Sequence, residues 1–296
     1  RPSALSDGGG IPATRAGGRS VRKAPNSARQ IVTVATYELL KYLRGRRLLA
    51  IVLLTAIVSA FFLVVPPVIG SAYPKDPQEF ATDMLRFLGI LSILSATFFG
   101  ADAIVSEYES KTGYFVFPNP IRKTSIFLGK FVASALVAAG TIELYYLIVL
   151  VSVRVIDGSI PANAGVSFAY SLVYLLAILA IAYLFSTVMR SSVYSLVLTF
   201  FTFFLILPIV DAVGSFAKFK PWFSITFASG IAQNVLLNPY PTDIISNRTT
   251  LAGINAGTQI SIAQYYPAIQ LSLIVMGAYF FVAFVFAIII AQRREM

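Results

Sequence analysis

Apolar positions along the chain gather into six long runs separated by polar stretches, at about 48–69, 84–106, 127–153, 166–189, 191–211 and 268–291. Each run is close to or beyond the twenty residues that carry a helix across a hydrocarbon core of roughly 30 Å. Asp102 lies inside the second and Glu143 inside the third. The pattern predicts an all-α integral membrane protein with six transmembrane helices. Six crossings place both termini on one side.

Ahead of the first run, residues 27–47 have a different period. Ser27 with Gln30 fits a capping box, and Ile31, Ala35, Leu39 and Tyr42/Leu43 recur at helical spacing. Lys41, Arg44, Arg46 and Arg47 close the segment. An amphipathic helix lying in the membrane interface is expected here, the alternative being a plain extension of the first span. Residues 1–26 are rich in Gly, Pro, Ser and Arg, hold Asp7 as their only acid and show no apolar period, which predicts a disordered basic N-terminal segment. An organelle transit peptide shares that Arg-rich, acid-poor character but is amphipathic, and this segment is not. The chain opens on Arg1 rather than Met, as expected of a start left either by processing or by a chosen boundary.

Composition strengthens the membrane reading. Of 296 residues, 57% are apolar and 12% charged, and the mean hydropathy is +0.78; soluble domains run near 45–50% and about 25%. The net charge of +10 would suit nucleic acid, but its distribution does not, and no nucleic-acid partner is expected. Seventeen of the 23 basic residues fall on the side of the termini, the remainder being Lys75, Arg86, Arg154, Lys218, Lys220 and Arg248. Basic residues collect in short cytoplasmic segments, so the N- and C-termini are expected in the cytoplasm of a protein crossing the plasma membrane many times. That orientation leans on Lys41 to Arg47, directly before the first span.

Cys and His are both absent, which removes disulfides, thiolate chemistry, imidazole ligation of haem and the usual zinc sets. No metal site is expected. Gly129-Lys130 is followed by Phe131 and lacks the upstream glycine of a phosphate-cradling loop. No paired carboxylates or Ser-His arrangement suggests catalysis, so the chain is not expected to be an enzyme or to hold a cofactor.

The richest polar stretch runs from Gly100 to Phe131, GADAIVSEYESKTGYFVFPNPIRKTSIFLGKF. A helix from about 84 to 112 would be some 43 Å long at 1.5 Å per residue, so its last turns should stand clear of the hydrocarbon. Those turns carry Glu107, Tyr108, Glu109 and Lys111, and Gly113 is placed to end the helix. Pro118-Asn119-Pro120 breaks the chain, Asn119 and Pro120 suit the start of the next helix, and Arg122, Lys123 and Lys130 follow. The loop at 107–125 is a compact polar elbow suited to receiving force from a partner.

The order Ser-Glu-x-Glu, Lys-Thr-Gly, Pro-x-Pro-x-Arg and Gly-Lys-Phe resembles the type-2 permease family of ATP-binding cassette (ABC) transporters. The matching residues are Glu107, Glu109, Thr112, Gly113, Pro120, Arg122, Gly129 and Lys130. The aromatic run Tyr114-Phe115-Val116-Phe117 departs from the Leu expected there, which touches subfamily rather than family. The resemblance implies a type-2 ABC exporter-like fold over residues 27–296. It implies a coupling interface to a separate ATPase subunit through Glu107, Tyr108, Glu109, Lys111, Thr112, Gly113, Pro120, Arg122 and Lys123. It also implies ATP and magnesium on that partner, and a second permease copy completing the path. An exporter of a hydrophobic or amphipathic cargo is the expected function. An ion-coupled carrier and a membrane scaffold are the alternatives, though a carrier usually has repeated halves that are not seen here.

Charges in spans are functional candidates by default. Glu143 is expected either on a substrate or ion path or in an ion pair with Arg86, and Asp102 is expected to be solvated or to hold its helix to the elbow. Residues 212–266 are too long for a plain connector. Lys218 to Phe223 reads as an interfacial anchor, with Trp222 and Phe223 as candidate outer gate. Ile225 to Leu237 suits a re-entrant or surface helix, or a distorted seventh span. Asn247-Arg248-Thr249 is a glycosylation sequon on the expected outer side.

Overall fold

The computed structural model describes residues 27–109, 123–249 and 260–293, with backbone alone at 245–249 and 260–262. The expectations for residues 1–26, and for Lys111 to Arg122 of the elbow, fall outside these residues. Six apolar helical segments are long enough to cross a membrane: Arg46–Val68, Pro77–Glu109, Lys123–Ile156, Ala164–Val188, Ser192–Phe216 and Ile269–Arg293. These are the six runs of the sequence, with the second beginning about two turns earlier than expected. Asp76 explains the earlier start: its carboxylate accepts the Gln78 N–H at 2.9 Å, with Pro77 in the first turn.

The N-terminal helix α1 (Ser27–Leu43) precedes the first span, α2 (Arg46–Val68), with Gly45 between them. α1 packs against the opening turns of the third span, named α6 below (Lys123–Ile156). Gly129 permits that approach. A Cβ there would stand 2.7 Å from the Val34 Cβ and 2.9 Å from the Ile31 carbonyl.

The second span is jointed, as α3 (Pro77–Leu85), α4 (Leu88–Gly100) and α5 (Val105–Glu109). A broken helix in apolar surroundings must find other partners for its backbone groups. At the joint before α5, the Ser186 hydroxyl accepts the N–H groups of Ile104 (3.0 Å) and Val105 (3.1 Å). Ser195 donates to the Ala101 carbonyl. Ser186 belongs to the fourth span, α7 (Ala164–Val188), and Ser195 to the fifth. The fifth span comprises α8 (Ser192–Phe201), a π-helical turn Thr202–Ile206 and α9 (Leu207–Phe216). Pro208 has no N–H to donate, and the wider turn just before it accommodates that loss. The sixth span is α12 (Ile269–Arg293).

Hydroxyls stitch the centre. Ser95 of α4 bonds Thr141 of α6 at 2.9 Å. Ser134, with one proton, donates to the Phe99 carbonyl at 2.7 Å and contacts the Tyr183 hydroxyl at 2.7 Å. Tyr42 of α1 donates to the same carbonyl at 3.3 Å, joining α1 to the core.

The second span is 78% buried over its most apolar window, whereas the first, fifth and sixth are 17%, 11% and 22% buried. Those three present Leu53, Ile57, Phe61, Phe204, Ile209, Phe281 and Val285 to their surroundings. Apolar faces of that extent need lipid or another apolar surface to cover them. The chain is therefore a multi-pass membrane protein, with spans two to four as its core.

At the end opposite α1, two one-turn helices, α10 (Ile225–Ser229) and α11 (Ile231–Asn234), replace the single short helix expected there. Neither can cross a membrane, so no seventh span exists among the described residues. Strands β1 (Ile244–Thr249) and β2 (Ile260–Gln264) pair antiparallel, Ile244 opposite Gln264. This small sheet is an addition to the expected all-α fold. Lys220 clamps it through Asp243 at 2.9 and 3.1 Å, and the Tyr266 N–H adds a bond at 2.7 Å. Partial burial pushes the Asp243 carboxyl up, but these two donors outweigh it and hold it below the usual carboxylate range.

Gly129→Ala should lower thermal stability by about 1–3 kcal/mol, because α1 must give way to the new methyl. Gly140→Ala, on the same helix with nothing within 4 Å of its Cβ position, should be neutral or raise stability by about 0.5–1 kcal/mol. Thermal unfolding of both variants in detergent checks the contrast; equal effects would mean that α1 does not pack at Gly129.

Candidate coupling site

Lys130 follows Gly129, so the close approach of α1 encloses its side chain, which is 4% exposed. A buried ammonium carries a desolvation cost of several kcal/mol unless carboxylates meet it. Two do: Glu38 of α1 at 2.7 Å and Glu107 of α5 at 2.8 Å. Glu38 also takes Lys41 at 3.2 Å. One ammonium thus joins the N-terminal helix, the end of the second span and the opening turns of the third.

Neighbouring contacts reinforce the junction. Arg47, at the start of the first span, pairs with Asp102 at 2.6 Å and donates to the Phe98 carbonyl at 3.1 Å. Asp102 is nearly buried rather than solvated, and among the described residues it holds the joint of the second span to the first span. Tyr42 lies one turn beyond Glu38, and burial pushes its hydroxyl up to about 12, so it stays a neutral hydrogen-bonding group.

Of the residues expected to face a partner, Glu107 and Glu109 both make bonds to the bundle. Glu109 accepts the Ser192 N–H at 2.9 Å and the Ser191 hydroxyl at 3.3 Å, tying α5 to the start of the fifth span. Tyr108 is partly buried against the core. Beside them lies a largely apolar recess, lined by Ile104, Tyr108, Lys123, Phe127 and Ile288. Lys111, Thr112, Gly113, Pro120 and Arg122 lie outside the described residues.

The expected Arg86–Glu143 pair does not form. Arg86 sits between α3 and α4 and bonds Asp83, three residues earlier, at 3.1 Å. Because the helix extends back to Pro77, Asp83 is one turn away and intercepts it. Glu143 is exposed on α6, in line with exposed Leu136, Leu147 and Val151, while Ile142, Tyr145 and Tyr146 occupy the inner stripe. Trp222 and Phe223 are exposed in the turn after α9, rings edge to face at 6.0 Å. Asn247 lies in β1.

Sequence reasoning did not find Glu38, the only acid in residues 27–47, although that isolation in a basic helix was a usable signal. Asp83 likewise stood at i,i+3 spacing from Arg86. Asp211 closes the fifth apolar run in the sequence, which hides its contacts. It accepts from Thr226 at 2.6 Å, and its other oxygen is buried with no hydrogen-bond partner among the described residues.

A family model described as ABC-2 family transporter protein matches residues 32–296, from within α1 through all six spans. Comparison with curated proteins finds no match.

Glu38→Gln and Glu107→Gln should each cost little singly, since Lys130 keeps one carboxylate. The double variant leaves a buried cation unpaired and should cost about 3–5 kcal/mol, more than the two singles together. Thermal unfolding of the three variants measures this, and additive small losses would show that Lys130 is hydrated rather than locked.

Proposed function

The chain belongs to the ABC-2 transporter family and is a membrane permease, and we propose that it is the membrane-spanning subunit of an exporter driven by ATP hydrolysis on a separate ATPase subunit. ATP and magnesium bind on that partner. A second permease copy completes the path, and the termini lie in the cytoplasm with the elbow and α1.

The observation that carries this reading is the Lys130 junction. A push on residues 110–122 is delivered to α5 through Glu107 and to α6 through Lys130, and Glu38 passes it to α1, so three elements move as one body. The joint at 101–104, whose backbone groups are satisfied by hydroxyls from other spans, is where the second span bends in response. At the opposite end, Trp222 and Phe223 act with α10 and α11 as the outer gate. The apolar, aromatic spans favour a hydrophobic or amphipathic cargo. Ion coupling finds little support, because Asp102 is paired with Arg47 and Glu143 faces away from the core.

Gentle purification from the native host, with mass spectrometry of what stays bound, tests the proposal. A stoichiometric subunit bearing a nucleotide-binding loop is expected, and Arg122→Glu in the elbow should weaken its retention at least tenfold, about 1.4 kcal/mol. Recovery of the chain without such a subunit from intact native membranes would overturn the reading and bring forward an ion-coupled carrier.

A further inference from the structure

Arg86 stands where three recesses meet at the end of the bundle opposite α1. One, of about 370 Å³, is the most polar of the three, with Thr226, Ser229, Gln233, Asn234 and Gln264 among its lining beside Phe227, Leu237 and Pro267. A second, of about 410 Å³, is bordered by Phe62, Pro66, Tyr73, Phe80 and Met84, with Asp83 at its edge. A third, of about 60 Å³, lies beneath Arg86 against Leu88 and Tyr174. The two large recesses each fall in the size range of small-molecule sites.

The guanidinium has five donors, and among the described residues its ion-pair partner is Asp83, through one contact at 3.1 Å. Both side chains are well exposed, 70% and 46%, and such pairs are weak. Most of the donor fork is thus open to an incoming anion. Its planar geometry suits a carboxylate or phosphate, and the side-chain amides of the polar recess offer further donors, the Thr226 and Ser229 hydroxyls being committed to Asp211 and to the Thr226 carbonyl. The neighbouring recess offers aromatic and aliphatic wall but, apart from Asp83 and Arg86, little polarity.

We propose that Arg86 anchors an amphiphile-binding site, which takes an anionic head group in the polar recess and a hydrocarbon chain in the apolar one. Phe62 and Pro66 belong to the first span and Phe80 and Met84 to the second, so the chain would lie between these two spans and reach the bilayer sideways. That this amphiphile is the exported cargo rests on the function proposed above; that it binds does not. The same chemistry fits a resident membrane phospholipid.

The test is native mass spectrometry of the full chain in detergent, titrated with dioleoylphosphatidate and, separately, with dioleoylglycerol, which has the same chains and no charge. Phosphatidate should bind at least tenfold more tightly. Arg86→Gln should abolish that preference, Arg86→Lys should keep part of it, and Phe62→Ala should weaken both ligands alike. Unchanged preference in Arg86→Gln, or equal binding of both ligands to the unaltered chain, overturns the proposal. The Asp83 pair is exposed, so Arg86→Gln should fold normally; Gln233→Ala, which trims the polar recess and the small one beneath Arg86 but leaves the apolar recess intact, provides a second check and should reduce phosphatidate binding selectively. ATP-driven release of phosphatidate from vesicles holding the complete transporter, lost in Arg86→Gln, identifies the ligand as cargo. Arg86-dependent binding without such release supports the site as one for resident lipid, and leaves the export reading to stand or fall on its own test.

Discussion

Burying an ammonium at a helix junction is tolerable only when carboxylates come to it, and at Lys130 the two that come belong to two other elements. α1 can lie close to α6 only because Gly129 has no side chain, and that closeness is what dries the neighbouring Lys130. The dryness makes the bonds from Glu38 and Glu107 strong, and the bonds in turn hold α1 and α5 where they are. Steric gap, desolvation and charge pairing are consecutive parts of one constraint. The family resemblance carried by Gly129-Lys130 has a physical reason here: the first residue makes room and the second uses it.

The junction sits against a core whose backbone is incomplete by helical rules. The second span is the most buried and also the most broken, at 86–87 and at 101–104. In a hydrocarbon environment each break needs hydroxyls from elsewhere, and Ser186 and Ser195 supply them at the lower joint. A break satisfied by side chains can change angle at less cost than an intact helix can bend, because its partners are single rotatable hydroxyls. Rigid coupling at Lys130 beside a yielding joint in the same span is a combination suited to converting a push into a tilt.

Much of the architecture was legible before any coordinates. The six runs, the amphipathic segment before them and the break in the helical pattern after the fifth span all follow from how apolar side chains are spaced, since hydrocarbon admits only long helices with internally satisfied backbones. The candidate site was legible in part. Glu107, Glu109 and Lys130 stood out by their order in the chain, but their partners did not, because Glu38 is 92 residues from Lys130 and Ser192 is 83 from Glu109. The strands after α11 escaped notice because they are short and their alternation is weak.

Sequence alone therefore determined that this is a six-span membrane protein with an amphipathic basic helix ahead of its first span and charged residues between the second and third, since length and hydropathy set what can cross a bilayer. The tertiary structure decided which charges meet. Arg86 went to Asp83 and not to Glu143, Asp102 to Arg47, and Lys130 to Glu38 as well as Glu107. Ion pairs depend on a few ångströms and on which face of a helix points inward, and those are fixed by packing among helices far apart in the chain.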